Sequence, residues 1–133
     1  MTGPRGQLLA HLVGDYLLQS HWMAQNKTQE NLPAVAHAVI YTLPFLALTR
    51  DPRRLMLIAG SHFAIDRWRL ARHVCWIKNN LAPPGWNPPW EECRATGYPP
   101  DCPDWLAVWL MVIADNTMHG ISNCLALSCW DAR

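Results

Sequence analysis

Three aspartates lie inside otherwise apolar sequence, and each has a histidine four positions away. They are His11 and Asp15 in "HLVGD", His62 and Asp66 in "HFAID", and Asp115 and His119 in "ADNTMH". No other feature limits the fold as strongly. A buried carboxylate is tolerated only when it is paired, fully hydrogen-bonded or bound to a metal. Residues four apart share one face of an α-helix, so each pair offers an imidazole and a carboxylate to the same region of space. The order is His then Asp in the first two pairs and Asp then His in the third. Up-down-up-down packing, with the helix of the third pair antiparallel to the helices of the first two, would let all three meet at a common depth.

The remaining pattern is helical, with no strand-like alternation of any length. Four helices are expected, over about 6–25, 33–49 with a kink at Pro44, 52–79 and 104–127. Pro33 and Pro52 suit first helical turns, and Asp51 is the N-cap before Pro52. Residues 82–104 hold seven of the chain's eleven prolines, with Trp86, Trp90 and Tyr98 among them. That stretch reads as a long non-helical loop, ordered as a flap over one end of a bundle. The expected fold class is all-α: a compact up-down bundle of four main helices with a long Pro/Trp-rich loop between helices 3 and 4. Residues 1–133 read as a single helical domain.

Helix 2 adds His37, with Tyr41 one turn further on. The candidate metal ligands are therefore His11, Asp15, His37, His62, Asp66, Asp115 and His119. One such pair would read as an internal hydrogen bond, but three pairs and a further histidine on four helices are harder to reach that way. Seven N/O ligands suit one or two divalent ions, zinc or manganese, with iron and nickel as alternatives. Such ions share a bridging carboxylate and leave positions open to water. Asp15 and Asp66 are the candidate catalytic carboxylates, as bridge or general base. For substrate contact the candidates are Arg67, Asn116, Gln19, Trp86 and Trp90. Gln19 continues the helix 1 face and Asn116 adjoins Asp115, while Asn123 suits either a ligand-orienting or a capping role. Arg67, Arg69 and Arg72 offer either a phosphate-holding cluster or a solvated helix face. His21 and His73 fall on polar stretches and are expected in solvent.

Charge and cysteine usage narrow the class. A net charge of +1 predicts no broad nucleic-acid surface. Five cysteines without a C-x-x-C pair indicate neither a disulfide framework nor a cysteine zinc knuckle. The N-terminus lacks the unbroken apolar core of a secretory signal, so the cytoplasm is the expected location. Residues 31–49 carry no Lys, Arg, Asp or Glu, approaching the roughly 20 residues of a spanning helix. Pro33, His37 and Pro44 interrupt that run, so a buried core helix is expected and membrane association is the alternative. No serine elbow, phosphate loop or dinucleotide fingerprint is present.

The strings "HLVGDYLLQSHWMAQNK", "HFAIDRWRLARHVCWIKN" and "TGYPPDCPDWLAVWLMVIADNTMHGISN" resemble a family of small uncharacterised phage and prophage proteins. More distantly, the chain is similar to predicted membrane-bound metal-dependent hydrolases and to zinc-dependent phospholipase C and single-strand nuclease enzymes. In those enzymes, histidines and carboxylates at this spacing hold zinc ions that split phosphoesters. His11/Asp15, His62/Asp66 and Asp115/His119 correspond to that logic. The chain is shorter and lacks an obvious N-terminal ligand, which sets it apart from a full three-zinc cluster. The resemblance implies a metal-dependent phosphoester hydrolase (a phosphodiesterase acting on a nucleotide or cyclic nucleotide) working in the host cytoplasm. Its partner would be a small phosphorylated substrate. Two alternatives stand beside it: a non-catalytic protein that is metal-stabilised or sequesters a ligand, and a small membrane-associated phage protein. The many tryptophans also suit a homodimer.

Overall fold

A computed structural model describes residues 3–128. Among these, every regular element is helical. Pro4 opens α1 (Pro4–Leu12), which runs directly into a π-helical segment, Val13–Leu17. In place of an α-type bond, Leu18 N–H donates to the Val13 carbonyl at 3.0 Å. The chain then breaks, and Ser20 caps α2 (His21–Asn26) by accepting from Met23 N–H. The single expected helix over 6–25 is thus two helices joined by a π segment, and its interruption follows from the Ser20 cap.

Helix α3 covers Asn31–Thr42 and tightens into a 3₁₀ segment, Leu43–Ala47, at the expected Pro44. Asp51 accepts from Arg53 N–H at 2.9 Å and Pro52 opens α4 (Pro52–Arg67), as its sequence predicts. The expected continuous helix over 52–79 is corrected to two: α4 and α5 (Leu70–Asn79). Arg69, at φ 50°, interrupts it in the left-handed region. No glycine or proline announces this break. Its local reason is that Arg69 and Arg72 donate to the Ala95 and Arg94 carbonyls, at 2.8 and 2.9 Å. The Pro-rich stretch also contains one helical turn, α6 (Trp90–Cys93), started by Pro89 with Glu91 and Glu92 in the first turn. The last helix, α7, spans Asp104–Ser128.

Two compact units divide the described residues, one comprising 3–68 with 119–128 and the other 69–118. In the first, α1 with its π segment packs on α3 and the 3₁₀ turn, and α3 packs on α2 and α4. Gly14 permits the closest approach. A Cβ there would lie 2.6 Å from Tyr41 Cδ2 and 2.9 Å from its carbonyl oxygen. Ala10, Tyr41, Phe45, Ile58 and Ala126 form the apolar cluster. In the second unit, the Pro-rich segment folds onto α5. Trp76 donates to the Pro88 carbonyl, Asn79 to the Gly97 carbonyl, and Trp90 stacks on His73. Gly97, at φ 83°, touches α5 so closely that a Cβ would sit 2.2 Å from the Arg72 carbonyl.

Candidate metal centre

The first unit buries polar side chains at its centre: His11, Asp15, His37, His62, Asp66, His119 and Asn123. Four of them converge on one point. Asp15 comes from the π segment, His37 from α3, and His62 and Asp66 from successive turns of α4. His37 Nε2 lies 3.1 Å from Asp15 Oδ1, 3.3 Å from Asp66 Oδ2 and 2.9 Å from His62 Nε2. His62 Nε2 lies 3.4 Å from Asp15 Oδ1 and 3.1 Å from Asp66 Oδ2. These are five edges of a small tetrahedron. A four-coordinate zinc with ligands at about 2.0–2.1 Å places its ligand atoms roughly 3.3 Å apart. The residues therefore fit a metal ion of that size.

The outer atoms of the carboxylates are oriented by further histidines. His11 Nδ1 faces Asp15 Oδ2 at 3.4 Å, and His119 Nε2 faces Asp66 Oδ1 at 3.3 Å. His11 is itself held by the Tyr41 hydroxyl at 2.9 Å, which also accepts from Asn123 Nδ2 at 2.6 Å. Tyr41 stacks on His62 with ring centroids 3.6 Å apart, and His119 stacks on the same ring at 4.2 Å. Three rings in contact restrict how His62 can turn. Lys27, between α2 and α3, sets its ammonium 2.7 Å from Asp66 Oδ2.

The electrostatics follow from this crowding. Burial pushes the Asp15 carboxyl up, but the His37 hydrogen bond and the His62 and His119 charges outweigh it, leaving it below its ordinary value. Asp66 is likewise pushed up by burial and then held well below the usual range by His119, His37 and His62. Burial opposes charge on His37, yet its bonds to Asp15 and Asp66 raise it. For His62 burial wins and lowers it to about 4. The two histidines are thus driven apart: His37 is pushed towards its protonated form and His62 towards its neutral one. One proton cannot serve five short contacts, whereas one cation can. The fit has a cost, since Nδ1 of both His37 and His62 is buried without a hydrogen-bond partner.

Asp115 sits one turn before His119 on α7, half-buried, in the second unit. Asn116, on the same stretch of α7, donates to the Val112 carbonyl. Trp86 and Trp90 are also in the second unit; Trp86 is exposed, and Trp90 packs on His73, Trp76 and Arg72. Arg67 is engaged by Asn31 Oδ1 and the Thr28 carbonyl, at 2.8 and 2.9 Å. Gln19 is half-buried between the π segment and α2, with Oε1 shielded from solvent. His21 is exposed as expected, but His73 is half-buried against Trp90. Lys27 escaped the sequence reading because a lysine in a polar turn gives no periodic signal.

Fold and site together define an all-helical protein with a buried Asp/His cluster able to hold a metal ion. The chain belongs to the DUF3307 family, described as proteins of unknown function, which it matches over residues 6–82. That match spans more than half of the chain and includes all four converging residues. No curated protein and no solved structure matches it significantly.

Proposed function

We propose that this chain is a metal-binding helical protein whose Asp15, His37, His62 and Asp66 hold one divalent cation, with zinc favoured over manganese. One observation carries the reading. Two imidazole nitrogens and two carboxylate oxygens crowd within hydrogen-bond distance of one another while sharing too few protons. Two nitrogens and two oxygens in a tetrahedron suit zinc best among the common divalent ions. Full coordination by four protein groups is the pattern of a closed, stabilising site. His11 and His119 act as positioning residues that fix the two carboxylates.

A second reading, phosphoester hydrolysis, is favoured by Lys27. Its ammonium stands beside the site at Asp66 and is only partly buried. A fixed positive charge next to a metal is what a phosphoryl group in transfer requires. The metal would supply Lewis acidity and an acidified water, and the outer oxygen of Asp15 or Asp66 would take the proton. The resemblance to zinc-dependent phosphoesterases supports this assignment.

Metal content by elemental mass spectrometry on untagged protein separates these readings from their failure. The expected result is about one zinc or manganese per chain, lost in Asp66→Asn and His62→Ala with a lower melting temperature. Full metal retention and unchanged melting in both variants would overturn the site. Loaded wild type that leaves a chromogenic phosphodiester intact would sink the hydrolase reading and leave the metal site standing.

A further inference from the structure

In the first unit carboxylates and imidazoles are buried, while many large apolar side chains face outward. Along α1, the π segment and α2, the only charged residue between 6 and 26 is Asp15, which is buried. Leu12, Leu17 and Trp22 of this stretch are exposed. Residues 31–49 carry no charge at all, and Leu32, Val39 and Leu43 are exposed there. The 3₁₀ turn packs on both α1 and the π segment, and the π segment packs on α3, so these exposed side chains stand on neighbouring elements. Clustered exposed apolar side chains of this kind mark an interaction site.

Charge identifies what covers it. The start of α1 and the connection from the 3₁₀ turn to α4 lie at the same end, since Gly3, Pro4, Leu48 and Arg54 line one depression. That end carries exposed Arg5, Arg50 and Arg53 against a single acid, Asp51. A second copy paired in parallel across a two-fold axis would bring these arginines towards their own equivalents. Anionic lipid headgroups complement them instead, with acyl chains meeting the leucines. No helix among the described residues is long and apolar enough to cross a membrane, so the fit is to one leaflet. We infer that the adjoining outer faces of α1, the π segment and α3 dock on an anionic lipid bilayer. Shallow insertion of their leucines and valines is oriented by Arg5, Arg50 and Arg53. This inference does not depend on the metal.

Vesicle flotation of the full chain tests it, using phosphatidylcholine vesicles with and without phosphatidylglycerol. The protein is expected to float with the anionic vesicles. Arg50→Gln/Arg53→Gln should reduce the bound fraction by about tenfold or more, and Leu17→Glu/Leu43→Glu should abolish it. Both doubles alter exposed positions, so helix content and metal content should stay unchanged. Protein that remains unfloated with either vesicle type overturns the inference, as does undiminished flotation of the leucine double variant. A dimer seen by light scattering without vesicle binding, and dissociated by the leucine changes, would assign the face to a second copy and overturn it as well.

Discussion

His37 and His62 have the same side chain, lie 2.9 Å apart, and are driven in opposite directions. Burial weighs more heavily on His62, and the His119 charge also opposes its protonation, whereas His37 gains from bonds to both Asp15 and Asp66. It has a measurable consequence for metal-free protein. His62 titrates near 4 when folded and near 6.5 when unfolded, so the unfolded chain binds more protons in that window. Stability of the chelated protein should therefore rise from pH 4 to 6.5. Above 6.5 the raised His37 acts in the other sense, and its contribution is lost as pH climbs through its folded value. Chemical denaturation across pH 4 to 8 should show a maximum near 6.5 without metal. In loaded protein the rise should continue beyond it, because metal binding needs neutral imidazoles. Lys27 offers a second check at this scale. Its ammonium occupies the same Asp66 oxygen that faces the metal position. Lys27→Met should tighten zinc binding by roughly tenfold, as expected when a charge competing at one ligand atom is removed. Competition titration with a fluorescent chelator measures it, and weaker binding would contradict the geometry.

At the scale of elements, the histidine–aspartate spacing was legible because helical periodicity is local. Asp15 and the His62–Asp66 pair reach a shared centre with His37, and His11 holds the outer oxygen of Asp15. The π segment was not legible. It keeps the four-residue spacing while changing the hydrogen-bond pattern, and nothing in "VGDYL" requires it. Breaks at Leu18–Ser20 and at Arg69 depend on a serine cap and on arginine bonds to a distant loop, which only tertiary structure reveals. Gly14 is the sequence trace of the tight contact between the π segment and α3. Gly14→Ala should cost about 1–3 kcal/mol, because the added methyl meets Tyr41 backbone as well as its ring. Thermal melting would show this as a drop of several degrees, together with weakened metal retention as Asp15 shifts. An unchanged melting temperature would mean that the two elements separate without penalty.

For the whole molecule, the spacing of histidines and aspartates indicated a helical protein but not how its apolar residues are arranged. Residues 31–49, free of charge, were expected to form a buried core helix. The structure places many of them outside, since six buried titratable groups and the Tyr41–Asn123 pair already fill the centre of the first unit. Asn123, which also suited a helix cap, is fully buried against the Tyr41 hydroxyl for the same reason. The second unit is held by backbone carbonyls of its Pro-rich segment accepting from α5 side chains.

The four converging ligands come from three separate elements, and this orders events in time. No fragment short of the assembled π segment, α3 and α4 brings Asp15, His37, His62 and Asp66 together. An ion bound there would therefore have little to grip in the encounter stages of folding and would be captured once these helices have docked. It should leave the refolding rate nearly unchanged and slow unfolding by the full factor of its binding free energy. Stopped-flow chevrons with zinc and with chelator would then share a folding limb and diverge on the unfolding limb. In that case the ion acts as a latch on a finished structure, lengthening its lifetime without hastening its birth.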